Sequence, residues 1–419
     1  MPFTYDRHNK MAKSHGNKPE GTNAGIRICN RIYLGNNEMG KTQNDNKIPT
    51  LAYGAILTIN LDAIVENYNT IKKMVAPAQS SAIVKADAYG LGAEKVAPVL
   101  YEAGCRFFFV AELIEALRLK DELPTDASIA VLNGILPGTE KITAEAGIIP
   151  VLNSWDAILD WQKLCVGEAK RFPAIIQIDT GMCRLGLDNS ELYRLVADPS
   201  IFNDADIKLV ISHLAKSDEE NSPANPAQLE AMKKALAKLP ASKVALAASG
   251  GIFLNADYHF NMVRPGIALY GVDPLGKSPT AIKPVVSLEA HVIQTRHVPR
   301  GSAIGYGGTF ITERPSTITT ISVGYADGWL RALGNKGSVY FKGVRVPIVG
   351  RVSMDSITLD TTHLGENAPK AGDLVELIGK HQSLDDVARD AGTIPYEILT
   401  SLSHRYERIY LKNREGNKK

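Results

Sequence analysis

The sequence predicts an α/β fold, a (β/α)8 TIM-type barrel followed by a mostly antiparallel β domain. Two observations carry this expectation. Between residues 80 and 270, eight short β-rich runs alternate with amphipathic helical stretches, the order in which parallel strands and crossover helices follow one another. From Pro284 onward the strands crowd together with few helices between them, as in a separate antiparallel unit. A length of 419 residues and a hydrophobic share of 44% supply enough apolar material for both cores.

Residues 1–48 read as a flexible polar extension, rich in Asn, Gly and Lys and without sustained periodicity. Inside it, "GNNEMGKT" (Gly35 to Thr42) matches the phosphate-loop pattern GxxxxGK[ST]. A phosphate loop must open a helix, whereas "QNDNKIP" follows, so chance similarity is the stronger reading. The barrel is expected over 49–284, although its first strand, about 52–60, could equally join the β domain. "LDAIVENYNTIKKMV" then places Leu61, Ile64, Val65, Tyr68, Ile71 and Val75 on one helical stripe, with Asn60 as N-cap. The eight strand candidates are "SAIVK", "RFFFV", "SIAVL", "IIPVL", "PAIIQI", "IKLVIS", "KVALA" and "MVRPGIALY". "AEKVAPVLYEAG", "SWDAILDWQKL" and "PAQLEAMKKALAKL" are helical stretches between them. An open doubly wound sheet is the rival arrangement. Over 285–419, "VVSLEAHVIQTRHV", "STITTISVGY", "SVYFKGVRVPIVG", "SITLD", "DLVELIG" and "RIYLK" read as strands, with one helical region from "SLDDVARDAG" to "PYEILTSL".

Charge excludes some partners. The 47 lysines and arginines nearly balance 45 acids without a long like-charged run, which speaks against an electrostatic grip on nucleic acid or a membrane. Cys29, Cys105, Cys165 and Cys183 lie far apart with no CxxC spacing, so neither a disulfide framework nor a metal site is expected. No apolar run reaches membrane-spanning length, and the first thirty residues lack the apolar core of a secretory signal. A cytoplasmic protein acting on a small molecule is the expectation.

In "AIVKADAYGLG" (82 to 92), Lys85 follows three apolar strand residues, which puts it at the C-terminal end of the first barrel strand, where barrel enzymes place their chemistry. A lysine desolvated there becomes a nucleophilic amine able to condense with a carbonyl. Alone, it is more often a strand-end lysine that reaches solvent.

The segment "VKADAYGLG" resembles the pyridoxal-phosphate attachment segment of the alanine racemases, fold-type III enzymes built from a (β/α)8 barrel and a β domain. The resemblance spans roughly 50–412 and includes, in order, "IDTGMCRLG", "SHLA", "MVRPGIALYG", "GYGGTF", "VGYADG", "GRVSMD", "IPYEIL" and "SHRYERIYL". Any one is a modest signal; together they are specific.

The resemblance implies a racemase interconverting L- and D-alanine by two-base proton transfer, supplying D-alanine as a peptidoglycan precursor. By it, Lys85 carries pyridoxal 5'-phosphate and serves one face of the substrate. Tyr306 is the base for the opposite face, and His213 hydrogen-bonds it. Arg264 faces the pyridine nitrogen, where many pyridoxal enzymes use a carboxylate. Tyr89, Ser249, Tyr396 and the amides of Gly266 and Ile267 hold the phosphate. Arg184 and the Met354 amide bind the substrate carboxylate, and Tyr325 and Asp355 line the entrance. It further implies a homodimer in which Tyr306, Tyr325 and Met354 act across the interface. No metal is implied. Three positions depart from the family pattern: Gln177 where a carbamylated lysine often props the active-site arginine, Ala248 in place of asparagine, and Leu91 in place of histidine.

The rivals are a broad-specificity or serine racemase of the same fold, and a non-catalytic pyridoxal-phosphate carrier, which would lack residues 285–412. A basic amino-acid decarboxylase would need a cysteine acid in the β domain, and none follows Cys183.

Overall fold

The computed structural model describes residues 52–276 and 281–412. The polar extension and its phosphate-loop look-alike lie outside them. Strand β1 (Ala55–Asn60) leads directly into helix α1 (Leu61–Val75). Asn60 caps that helix: its Oδ1 accepts from the Ala63 amide at 3.0 Å. The apolar stripe is buried at Leu61, Ile64, Tyr68, Ile71 and Val75.

The barrel strands are β2 (Gln79–Ser80), β3 (Ala82–Ile83), β4 (Phe107–Val110), β5 (Ser128–Val131), β6 (Ile149–Leu152), β7 (Pro173–Gln177), β8 (Asp206–Ile211), β9 (Val244–Ala245) and β10 (Met262–Val263). β2 and β3 are two pieces of one strand. β3 to β9 are parallel neighbours in sequence order. β10 closes the ring: the amides of Gln79, Ser81 and Ile83 donate to the carbonyls of Asn261, Val263 and Pro265, while Arg264 and Asn261 donate to Ala247 and Val244. The strands are covered on both faces, which is why "IPVL" in β6 is buried at all four positions.

One expected strand is shorter than it reads. "MVRPGIALY" is a strand only at Met262 and Val263, with a last bridge from Arg264 to Ala248, and Ile267–Tyr270 forms a 3₁₀ turn. Pro265 has no amide to continue the ladder.

The second sheet contains eight strands and takes in β1. Its long strand β11 (Val286–Val298) pairs with β1 in its first half and, beyond a register shift at Val292, with β14 (Ser316–Ile321). Between these two lie the short β12 (Ala303–Ile304) and β13 (Phe310–Ile311), a hairpin the sequence did not disclose. β15 (Ser338–Phe341), β16 (Val344–Pro347), β17 (Ile357–Asp360) and β18 (Leu374–Ile378) complete its antiparallel part. The last strand, β19 (Glu407–Leu411), lies parallel to β1 and so ties the two ends of the described chain together.

Candidate active site

Residues that follow the barrel strands line a cavity of about 1010 Å³. It gathers Lys85, Tyr89, Gln177, Arg184, His213, Ala248, Ser249, Arg264, Gly266 and Ile267 from the barrel, and Tyr396 from the helix Pro395–Ser401.

Lys85 stands one residue beyond Val84, at the head of an unusual turn. Ala86, Asp87, Ala88 and Tyr89 all adopt left-handed helical backbone, with φ of 52°, 55°, 53° and 57°. Four consecutive L-residues there cost about 4–8 kcal/mol, taking roughly 1–2 kcal/mol each. The turn is braced on several sides. The Glu115 carboxylate accepts from the Ala86 amide at 2.6 Å, Asp87 accepts from the Ala93 amide at 2.7 Å, and Arg408 donates to the Gly90 carbonyl at 2.6 Å. The Lys85 ammonium titrates below the ordinary lysine range because it is desolvated and because the Arg184 guanidinium is near; Glu115 opposes this shift.

Arg264 is only 2% exposed, and among the described residues no carboxylate pairs with it. Its guanidinium donates instead to the carbonyls of Ser212 (2.6 Å) and Ala245 (2.5 Å) and approaches His213 Nδ1 at 3.4 Å. Burial brings its pKa down to about 10. Burial, together with Arg264, Arg184 and Lys85, depresses His213 to about 3, so its imidazole is neutral at physiological pH. A nitrogen facing a guanidinium must accept, which assigns the His213 proton to Nε2.

The anion-binding corner is built from neutral donors. The Ser249 hydroxyl oxygen accepts from the amides of Gly266 (2.9 Å) and Ala268 (3.3 Å). Gly266 is required by close approach: a Cβ there would lie 2.3 Å from the Tyr89 hydroxyl. Tyr89 packs against Tyr270, with ring centroids 4.7 Å apart, and faces Tyr396 at 6.1 Å. Arg184 is exposed to the cavity on a loop whose amides at Gly181, Met182 and Cys183 donate to the Asp179 carboxylate. Gln177 Nε2 donates to the Leu185 carbonyl at 3.0 Å and so braces that loop from inside. Leu91 is fully buried.

Tyr306, Tyr325, Met354 and Asp355 do not line the barrel cavity. They lie on the β domain, where Tyr306 is 69%, Tyr325 43% and Met354 53% exposed. Tyr306 occupies the tight β12–β13 turn, which needs the positive φ of Gly305 and Gly307. That turn approaches Arg351, while the amides of Tyr325 and Ala326 donate to the carbonyls of Ser353 and Met354, so these segments adjoin. Arg405 bridges Asp327 (3.1 Å) and Asp355 (2.7 Å) beneath them.

Three further residues escaped the sequence reading. Gln228, buried on the helix Ala224–Leu236, donates to the His213 carbonyl and to Thr180 and accepts from the Ala215 amide. A glutamine on the same helical stripe as Leu229, Met232 and Ala235 was the available signal. Glu397 and Thr393, hydrogen-bonded to one another, flank Tyr396 at the cavity mouth.

Fold and site define a barrel enzyme with a low-pKa amine and an amide-lined anion corner opening into one cationic cavity. Residues 59–274 match the family "Alanine racemase, N-terminal domain", and residues 285–410 match "Alanine racemase, C-terminal domain". An alanine racemase of Brucella canis is 53% identical over 374 residues, covering 86% of this chain and 94% of its own. A protein of Agrobacterium fabrum named "Alanine racemase, catabolic" is 51% identical over 356 residues, covering 85% of this chain and 92% of its own. Among solved structures, an alanine racemase from Bartonella henselae with covalently bound pyridoxal phosphate superposes with a TM-score of 0.84 at 57% identity, covering 85% of this chain and 99% of that one. The chain belongs to the alanine racemase family.

Proposed function

We propose that this chain interconverts L- and D-alanine with pyridoxal 5'-phosphate held on Lys85. The observation that carries this reading is the convergence, in one cavity, of the Lys85 amine, the Arg264 guanidinium held on backbone carbonyls, and the Ser249–Gly266 anion corner. Each fits one part of the cofactor: the amine fits its aldehyde, the amides and the hydroxyls of Tyr89, Ser249 and Tyr396 fit its phosphate, and Arg264 fits a ring nitrogen that must accept rather than donate. The chemistry that bound pyridoxal phosphate supplies is withdrawal of electrons from the amino acid's α-carbon.

The chain's own residues handle protons and orientation. Racemisation removes the α-proton from one face and returns a proton to the other, so two acid–base groups must stand on opposite sides. Lys85 Nζ serves the face at the barrel wall. Its lowered pKa leaves more free amine at neutral pH, which a proton acceptor requires. Tyr306 serves the opposite face. Because it is exposed on the β domain and absent from the cavity, it is supplied by a second copy, along with Tyr325 and the Met354 amide. The His213 Nε2 proton is then available to the Tyr306 oxygen, and Arg264 holds His213 in that tautomer. Arg184, exposed to the cavity, takes the substrate carboxylate.

The homodimer is part of this proposal, supported by the exposed Tyr306, Tyr325 and Met354 on one side of the β domain. Enantiomers have equal free energy, so the direction of net flux is set by what supplies and consumes alanine, and a role in supplying D-alanine for cell-wall precursors is one such setting. Chiral analysis of a panel of amino acids incubated with the pure holoprotein tests the substrate. Racemisation of alanine well ahead of serine and larger side chains is expected; equal rates across the panel would reject alanine specificity in favour of a broad-specificity racemase, and no turnover would reject racemisation.

A further inference from the structure

The four-residue left-handed turn after Lys85 has a single anchor at its first amide, and that anchor is Glu115. Glu115 lies in the helix Leu113–Lys120 that follows β4, the neighbouring barrel strand. Its two carboxylate oxygens work on different elements. Oε1 accepts from Ala86, immediately after Lys85, at 2.6 Å. Oε2 accepts from Ala111 at 2.7 Å and Glu112 at 3.0 Å, where β4 ends. One side chain thus staples the end of the lysine-bearing strand to the end of the next.

We propose that Glu115 is a positioning residue for racemisation, holding the left-handed turn so that Lys85 and Tyr89 point into the cavity together. This rests on Lys85 being the cofactor-bearing amine. The geometry explains why a carboxylate stands there. Three amides converge on two oxygens, so every acceptor must be an oxygen and none a donor. An amide of the same shape would turn an N–H toward an N–H on one side. Glu115 also lines, with Val84, Asp87, Arg118 and His404, a second cavity of about 790 Å³, so the head of the turn borders open space on that side. Ala88 and Tyr89 are packed into the core, but Ala86 and Asp87 at the head of the turn are exposed, so packing does not fix the end next to Lys85 and the staple does.

The test compares Glu115→Gln with wild type and with Glu122→Gln, which removes an exposed acid just past the same helix without touching the turn. All are studied as holoprotein. In Glu115→Gln, kcat for alanine should fall on the order of 10- to 100-fold while KM changes less than about twofold, because the amine is misplaced and the carboxylate site is not. Amide hydrogen exchange in a peptide spanning 84–92 should accelerate by at least about tenfold, with exchange in β5 and β6 unchanged. Glu122→Gln should do neither. If Glu115→Gln does not fold, Glu115→Asp, which is too short to span both elements, should give the same split. Wild-type turnover and wild-type exchange in the folded variant would overturn the proposal, and so would a global loss of stability with kcat and local exchange unmoved. Failure of wild type itself to carry cofactor on Lys85 would reject the underlying reading instead.

Discussion

The two halves of the site lie on different parts of the chain, and this division makes a quantitative prediction. Lys85, His213 and Arg264 line the barrel cavity, while Tyr306 stands 69% exposed on the β domain. If each cavity is completed by the β domain of a second copy, a heterodimer of Lys85→Ala and Tyr306→Ala contains one site with both lesions and one with neither. Co-expressed with two different tags and purified on both, it should show about half the wild-type rate per dimer, although each parent homodimer is inactive. The converse pairing is equally decisive. A chain carrying both substitutions, paired with wild type, places one lesion in each site and should be nearly inactive. A site completed within one chain reverses both outcomes: the first heterodimer would be dead and the second about half active. Alanine racemisation followed by chiral chromatography reads the result, and that reversed pattern would refute the shared site.

Two further outcomes follow from the cavity itself. His213, depressed from 6.5 to about 3, stays neutral in the folded protein while the unfolded chain takes up a proton, so this contribution is complete above pH 6.5 and is lost as pH falls toward 3. At about pH 5 the loss amounts to ~2 kcal/mol, at 1.36 kcal/mol per unit. Urea unfolding of wild type and His213→Asn should show the variant with the flatter pH dependence. Replacing Ser249 by Ala removes a donor from the phosphate corner, and the loss of about 1.5–3 kcal/mol should weaken pyridoxal-phosphate binding roughly 10- to 100-fold, leaving kcat at saturating cofactor little changed. Equilibrium dialysis measures the affinity directly.

Much of this was legible because local chemistry and tertiary demand agreed. Asn60 before an apolar stripe defined α1 to the residue, and short apolar runs such as "FFFV" and "IPVL", read as strand candidates, are strands in the barrel. The cavity residues were legible through motif resemblance, and the structure brings those from the barrel and Tyr396 together. Other features were hidden for definite reasons. Ala86, Asp87, Ala88 and Tyr89 are ordinary L-residues whose left-handed backbone is imposed by Glu115, Asp87 and Arg408 contacts, and nothing local in "KADAY" demands it. β12 and β13 are two residues each and flank a glycine turn, too short for a period-2 pattern. Glu115 reads as one more charged residue on an amphipathic helix until the Ala86 amide is placed against it.

Borohydride reduction of the purified holoprotein, followed by peptide mapping, tests most directly whether a partly desolvated strand-end amine binds the cofactor. A pyridoxyl label on Lys85 alone is the expected result; label on another lysine, or none, contradicts it.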